Sequence, residues 1–150
     1  MTTLSRRSFI NFAALGALTS FMPKAHAATP VLEVYKSPYC GCCGSWVTHM
    51  RDAGFKVRVT NLEDLDPIKA KFGVERDLQS CHTGVIEGYV IEGHVPAGDV
   101  ARLMLERPAA TGLAVPGMPI GSPGMEQGGL KEPYQVVLFS ATERRIFARH

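Results

Sequence analysis

The sequence predicts an α/β domain with a central mixed sheet flanked by helices, and three observations carry that prediction. Strand-like and helix-like stretches alternate from Val31 onward, a long loop rich in proline and glycine precedes the last strands, and a cysteine cluster sits where the first strand meets the first helix. No stretch repeats another, and nothing marks a second domain.

The elements follow in order. "VLEVYKS", Val31 to Ser37, alternates and is rich in branched residues, the pattern of a strand, and Pro38 ends it. From Cys43 onward Trp46, Val47 and Met50 recur at spacings of three and four, which predicts an amphipathic helix that stops at Gly54. "FKVRVTNL" reads as a second strand. "DLDPIKAKFGV" reads as a short helix with Asp66 at its cap and Pro67 at its first position. "GVIEGYVIEGHV" is a strand or hairpin broken at Gly88 and Gly93, and "PAGDVARLMLE" is a third helix, capped by Asp99 or its neighbours and ended by Pro108. "LAVPGMPIGSPGMEQGG", Leu113 to Gly129, reads as one long loop, and "YQVVLFSA" with "RRIFAR" supplies one or two closing strands.

The chain's start reads as an export signal at residues 1–27: the pair Arg6-Arg7, an apolar run from Phe9 to Met22 and the small-residue site Ala25-His26-Ala27. That run is well short of the roughly 20 residues a membrane-crossing helix needs, so no retained anchor is expected. Ser5 to Ile10 resembles a twin-arginine signal, which implies export to the periplasm in the folded state. Cleavage after Ala27 would leave residues 28–150 as one domain. Of 16 basic and 14 acidic residues, the signal holds three basic and no acidic ones, so the remainder carries 13 against 14, a net charge of −1. Without a basic run, nothing in the charge points to nucleic acid.

All four cysteines, Cys40, Cys42, Cys43 and Cys81, lie beyond the signal. In an oxidising compartment four cysteines default to two structural disulfides. Adjacent Cys42 and Cys43 rarely bridge each other, however, and a Cys40–Cys43 bridge closes a loop too small to stabilise much. The three clustered thiols fall between a strand and the first turn of a helix. Unpaired N–H groups and the helix dipole there favour the thiolate, the form that attacks disulfides and binds metals.

A strand, a cysteine motif on a helix start, then strand, helix, paired strands and helix is the order of a thioredoxin-like fold, and Cys40 to Cys43 has the C-x-x-C spacing. Two departures argue against simple disulfide exchange. Cys42 is a third thiol inside the motif, and "QSCHTGVIEGY" carries Cys81 and His82 where that fold usually has a proline. If the fold is right, Cys81 and His82 face the helix start and bring four sulfurs and an imidazole towards one point. Such a set suits Cu(I) best and zinc second.

Together, "YKSPYCGCCGSWVTHM", "SCHTGVIEGYVIEGHVPAGDV" and "GLAVPGMPIGSPGME" resemble the periplasmic copper-resistance proteins of the CopG type, over about Val31 to Ser140. The resemblance implies a thioredoxin-like fold, with Cys40, Cys42, Cys43 and Cys81 as copper ligands and His82 as an additional one. It also implies copper handling in the periplasm, with redox conversion between Cu(I) and Cu(II) as one form of it, and periplasmic copper carriers or efflux components as partners. A Cys40–Cys43 disulfide in the metal-free form follows by analogy with the fold alone.

The remaining candidates divide. Thioethers bind Cu(I), so Met118 and Met125 in the long loop are either an uptake or transfer site or packing over the core. His49 lies seven residues beyond Cys42, roughly 10 Å along a helix axis, too far to be a ligand. His94 shows no pattern of its own and reads as an ordinary residue, and Trp46 reads as core. Three functions stand: a copper-binding protein holding Cu(I), in a multinuclear thiolate cluster; a thiol-disulfide oxidoreductase; and a structural zinc module.

Overall fold

A computed structural model describes residues 29–150, and the expected export signal at residues 1–27 lies outside the described residues. Among the described residues seven strands form one mixed sheet: β1 (Val31–Lys36), β2 (Lys56–Asn61), β3 (His82–Ile86), β4 (Tyr89–Glu92), β5 (Gly112–Ala114), β6 (Gln135–Phe139) and β7 (Arg144–Arg149). Their order is β2-β1-β3-β4-β5-β6-β7. The pairs β1–β2 and β4–β5 are parallel, and the others are antiparallel. The helices α1 (Gly41–Asp52), α2 (Asp66–Lys71) and α3 (Ala97–Glu106) fill connections between these strands, with a short 3-10 turn at Arg76–Leu78.

The two sheet faces are covered separately. Ile91 and Val90 are neighbours on β4 and so point to opposite faces. Ile91 belongs to the larger core with Trp46, Val47 and Met50 of α1 and Val100 and Leu103 of α3. Val90 belongs to a smaller one with Val74, Leu78, Ala114 and Phe139. The apolar stripe of α1 therefore packs as its three-and-four spacing predicts, and Trp46 is fully buried core with its indole N–H donating to the Val95 carbonyl at 2.8 Å.

Three expectations need correction. The segment read as one loop from Leu113 begins inside β5, a three-residue strand buried throughout and paired parallel with β4. The cap of α3 is Pro96 rather than Asp99, and no side chain caps it from its own end. The Ala97 N–H instead donates to Nε2 of His49, on α1, while Asp99 faces His150 at 2.7 Å. Likewise α2 starts at Asp66 itself, with Leu65 at the cap position. Among the described residues no helix is long and apolar enough to cross a membrane.

Candidate metal centre

The site forms where the C-terminal end of β1 meets the antiparallel start of β3. Lys36, the last residue of β1, pairs with His82, the first of β3, so the chain on either side, Ser37 to Cys43 and Cys81, meets at one sheet end. Cys40 is the N-cap of α1, in extended conformation, and its sulfur accepts the Cys43 N–H at 3.3 Å, a role usually given to serine, threonine or aspartate. The helix start thus carries three of the sulfurs, and the strand pairing brings the fourth, Cys81, to them.

Sulfur atoms of Cys40, Cys42, Cys43 and Cys81 all lie within 4.8 Å of one another. Cys40 and Cys43 are joined in a disulfide, and Cys42 and Cys81 are free. The Cys42 sulfur is 3.4 Å from that of Cys40 and 3.9 Å from that of Cys81. Cys43 is fully buried, with its sulfur 3.6 Å from the Cys81 carbonyl oxygen, whereas Cys40 and Cys42 are half-buried. The Cys81 thiol is pushed up to about 12 by burial and by the neighbouring Cys42.

Two imidazoles complete the group. His82, expected beside Cys81, is fully buried against Trp46, with ring centroids 4.4 Å apart, and its Nδ1 is 3.4 Å from the Cys81 sulfur. Its Nε2 is buried with no hydrogen-bond partner among the described residues. Burial, with His94 and Lys69 nearby, holds it well below the usual histidine range, so the ring is neutral.

His94, read from the sequence as ordinary, is the residue that reading missed. Its Nε2 is 3.0 Å from the Cys81 sulfur, and Cys81, His82 and His94 form a second group with ligand atoms within 4.8 Å of one another. Hairpin register delivers it. Thr83 pairs with Glu92, the Gly93 N–H donates to the His82 carbonyl at 3.0 Å, and a tight turn closed by Val95 N–H to the Gly93 carbonyl at 2.9 Å is centred on His94. Gly93 takes φ +71, and a Cβ there would lie 2.5 Å from the Ser80 side chain, so only glycine fits.

The tautomer of His94 follows from its partners. Nδ1 faces the Pro123 carbonyl oxygen at 2.8 Å, which can only accept, so Nδ1 carries the hydrogen. Burial holds His94 below its ordinary value and hence neutral, which leaves an Nε2 lone pair facing Cys81. The Cys81 thiol therefore donates to it, in the carbonyl–imidazole arrangement that orients metal-binding histidines.

Besides the Pro123 carbonyl on His94, the long loop lies against this site at two further points. The Ser80 hydroxyl donates to the Gly117 carbonyl, and Gly124 packs on the start of α1. Met118 and Met125 each follow one of these anchors; Met118 is 52% exposed and Met125 half-buried. On the other face of the sheet a buried pair braces the strand: Lys69 donates to Glu92, which also accepts from the Thr83 hydroxyl and the Ser80 N–H, both at 2.7 Å. Burial raises the Glu92 carboxyl despite these donors.

A family model described as "Protein of unknown function, DUF411" matches residues 78–125, which span Cys81, His82, His94 and most of the long loop. Among curated proteins no match was found. A solved structure described as "Copper resistance protein copG- Form 2" is 42% identical, covers 82% of this chain and 99% of its own, and superposes with a TM-score of 0.78. A second, "Copper resistance protein copG- Form 1", is 43% identical over 80% of this chain and 96% of its own, with a TM-score of 0.76.

Proposed function

The chain belongs to the CopG-type family of copper-resistance proteins, and from that premise we propose that it is a periplasmic copper-binding protein for copper resistance or homeostasis. Its reduced cysteines, Cys40, Cys42, Cys43 and Cys81, hold Cu(I) as a multinuclear thiolate cluster. One observation carries this reading: four sulfurs from two separate elements lie within 4.8 Å of one another. Thiolate sulfur is a soft ligand that prefers Cu(I) and can bridge metal ions, so four sulfurs suffice for more than one ion.

His82 and His94 adjoin Cys81 and serve as nitrogen donors at the edge of the cluster. Met118 and Met125, on the loop beside the site, are weaker candidates for passing Cu(I) to or from it. A thioredoxin-like fold is supported by the order β2-β1-β3-β4, in which β1 and β2 are parallel and β3 runs antiparallel to both its neighbours. Residues 1–27 would act as a cleaved twin-arginine-type export signal, with residues 28–150 as the single working domain. Copper ions, and periplasmic carriers or efflux components that exchange them, are the partners this role requires.

Closing Cys40–Cys43 removes two sulfurs from the set, so Cu(I) loading depends on prior reduction. The same bridge favours a second reading, a thiol-disulfide oxidoreductase: Cys40 is accessible, Cys43 is buried, and the pair has the C-x-x-C spacing.

The two readings separate in one experiment. Protein reduced without oxygen is titrated with Cu(I), and copper per chain and X-ray absorption at the copper edge are measured. Two or more ions with sulfur ligands and a short copper–copper distance are expected. One ion or none, together with catalysed insulin reduction, would return the oxidoreductase to first place. Electrochemistry with no reversible couple would remove Cu(I)/Cu(II) conversion from the role.

A further inference from the structure

Closing the Cys40–Cys43 bridge does not empty the site of donors. Cys42 and Cys81 stay free, and Cys81 is shared with the second close group, formed with His82 and His94. We propose that the disulfide-bonded form is itself a metal site, which binds one divalent cation of zinc-like softness through Cys81, His94, His82 and Cys42. The inference deepens the copper reading and rests on it for the site, since Cys42 and Cys81 would serve in both forms.

The spacing of the donors fits one ion. Zinc bonds of about 2.3 Å to sulfur and about 2.0–2.1 Å to nitrogen, arranged tetrahedrally, place two sulfurs about 3.8 Å apart and a sulfur and nitrogen about 3.5 Å apart. The corresponding separations from the Cys81 sulfur are 3.9 Å to Cys42, 3.4 Å to His82 Nδ1 and 3.0 Å to His94 Nε2. The Cys42 and His82 separations match these to about 0.1 Å, and the His94 separation is about 0.5 Å short. Cys42 lies outside the close group of Cys81, His82 and His94, so its side chain would turn towards them on binding.

Protonation and polarity agree with the spacing. Pro123 fixes the hydrogen of His94 on Nδ1, so Nε2 offers a lone pair towards Cys81 without rearrangement. His82 is fully buried, and its Nδ1, not the Nε2 left unpartnered among the described residues, is the ring nitrogen that faces the Cys81 sulfur. The chemistry also changes with the bridge. Four thiolates make a soft set suited to Cu(I), whereas two thiolates and two imidazoles make the mixed set typical of tetrahedral zinc.

The test uses protein kept oxidised, in which two alkylatable thiols per chain verify the bridge. It is titrated with Co(II) as a coloured probe and then with Zn(II). One Co(II) per chain is expected, with strong sulfur-to-cobalt absorption in the near ultraviolet, visible bands of tetrahedral intensity, and displacement by one equivalent of Zn(II). Outer partners of a metal site alone are worth about 10–100-fold in affinity, so loss of a ligand should weaken Co(II) binding at least about tenfold.

That loss is expected in His94→Gln and in Cys42→Ser. The second change lies on the partly exposed first turn of α1 and keeps the test valid should the buried histidine be needed for folding. No Co(II) or Zn(II) uptake by the oxidised protein overturns the proposal, as does uptake without sulfur absorption or uptake unchanged in both variants. The same samples, reduced and titrated with Cu(I), keep the readings apart. Cobalt uptake when oxidised with no Cu(I) uptake when reduced supports this inference and sinks the copper cluster, and the opposite pattern does the reverse.

Discussion

Gly124 is packed against the backbone of Cys42: a Cβ on Gly124 would lie 2.7 Å from the Cys42 carbonyl oxygen and equally close to the backbone nitrogen of Trp46. The long loop therefore touches the cysteine-bearing turn through bare backbone, and the glycine also takes φ +85, a left-handed conformation that side chains disfavour.

Gly124→Ala should thus push the loop off the helix start. Backbone atoms cannot swing aside as a flexible side chain can, so the expected destabilisation is about 1–3 kcal/mol, read as a lower denaturant midpoint. Copper should also leave the reduced protein faster, as measured by transfer to a chelator. Gly128, also at positive φ but with open space around its missing Cβ, is the control, and Gly128→Ala should leave copper release unchanged.

Glu92→Gln should strongly destabilise the protein. It leaves the buried Lys69 ammonium without its counter-charge, and breaking one half of a buried ion pair costs about 3–5 kcal/mol. Replacing both partners, as in Lys69→Met with Glu92→Leu, should recover much of that loss. A double variant no more stable than Glu92→Gln alone would show that Glu92 acts mainly by holding Ser80 and Thr83 rather than by neutralising Lys69.

Stability should fall in mild acid. His82 is depressed well below its ordinary 6.5, first by burial and then by His94 and Lys69. Above 6.5 both folded and unfolded chains hold it neutral, so its contribution is fully present. Below 6.5 the unfolded chain takes up a proton that the folded one refuses, at up to about 1.4 kcal/mol per pH unit. Urea midpoints at pH 7.5 and 5 should differ in that direction, and His82→Gln should shrink the difference.

Metal capture should release protons. The Cys81 thiol, pushed up to about 12, stays protonated at neutral pH until a metal displaces its hydrogen. The apparent Cu(I) affinity should therefore rise with pH by about tenfold per unit for each proton displaced, and Cys81→Ser should reduce the slope. A slope unchanged by that substitution would place Cys81 outside the copper ligands.

Most of the fold was legible because its signals are local. The alternation in Val31–Lys36, the spacing of Trp46, Val47 and Met50, and the turn at Gly88 each need only a few neighbouring residues. β5 escaped because three fully buried residues next to a proline-rich run show neither alternation nor length. The capping of α3 by His49 escaped for another reason: its partner is on a different helix, 48 residues away.

The site was legible in its sulfurs and not in its second imidazole. Cys40, Cys42 and Cys43 announce themselves by proximity, and His82 by standing next to Cys81. His94 is 13 residues from Cys81, alone after a glycine, and only the pairing of β3 with β4 brings it back. Folding the hairpin about Glu87-Gly88 on paper sets Thr83 opposite Glu92 and returns the chain to Cys81 near residue 94, so the signal was present in the hairpin's symmetry.

That hairpin separates what can vary from what cannot. Its turn, Glu87-Gly88, is far along the strands from Cys81 and His94, and the ladder from Ile86↔Tyr89 to Thr83↔Glu92 holds the two open ends in register. Residues added in matched pairs at the turn would lengthen the hairpin outward and leave the sulfur and the imidazole facing each other. A single residue inserted between Glu92 and His94 would rotate the imidazole away from the sulfur. Related chains should therefore tolerate length changes at the tip of this hairpin and none at its base.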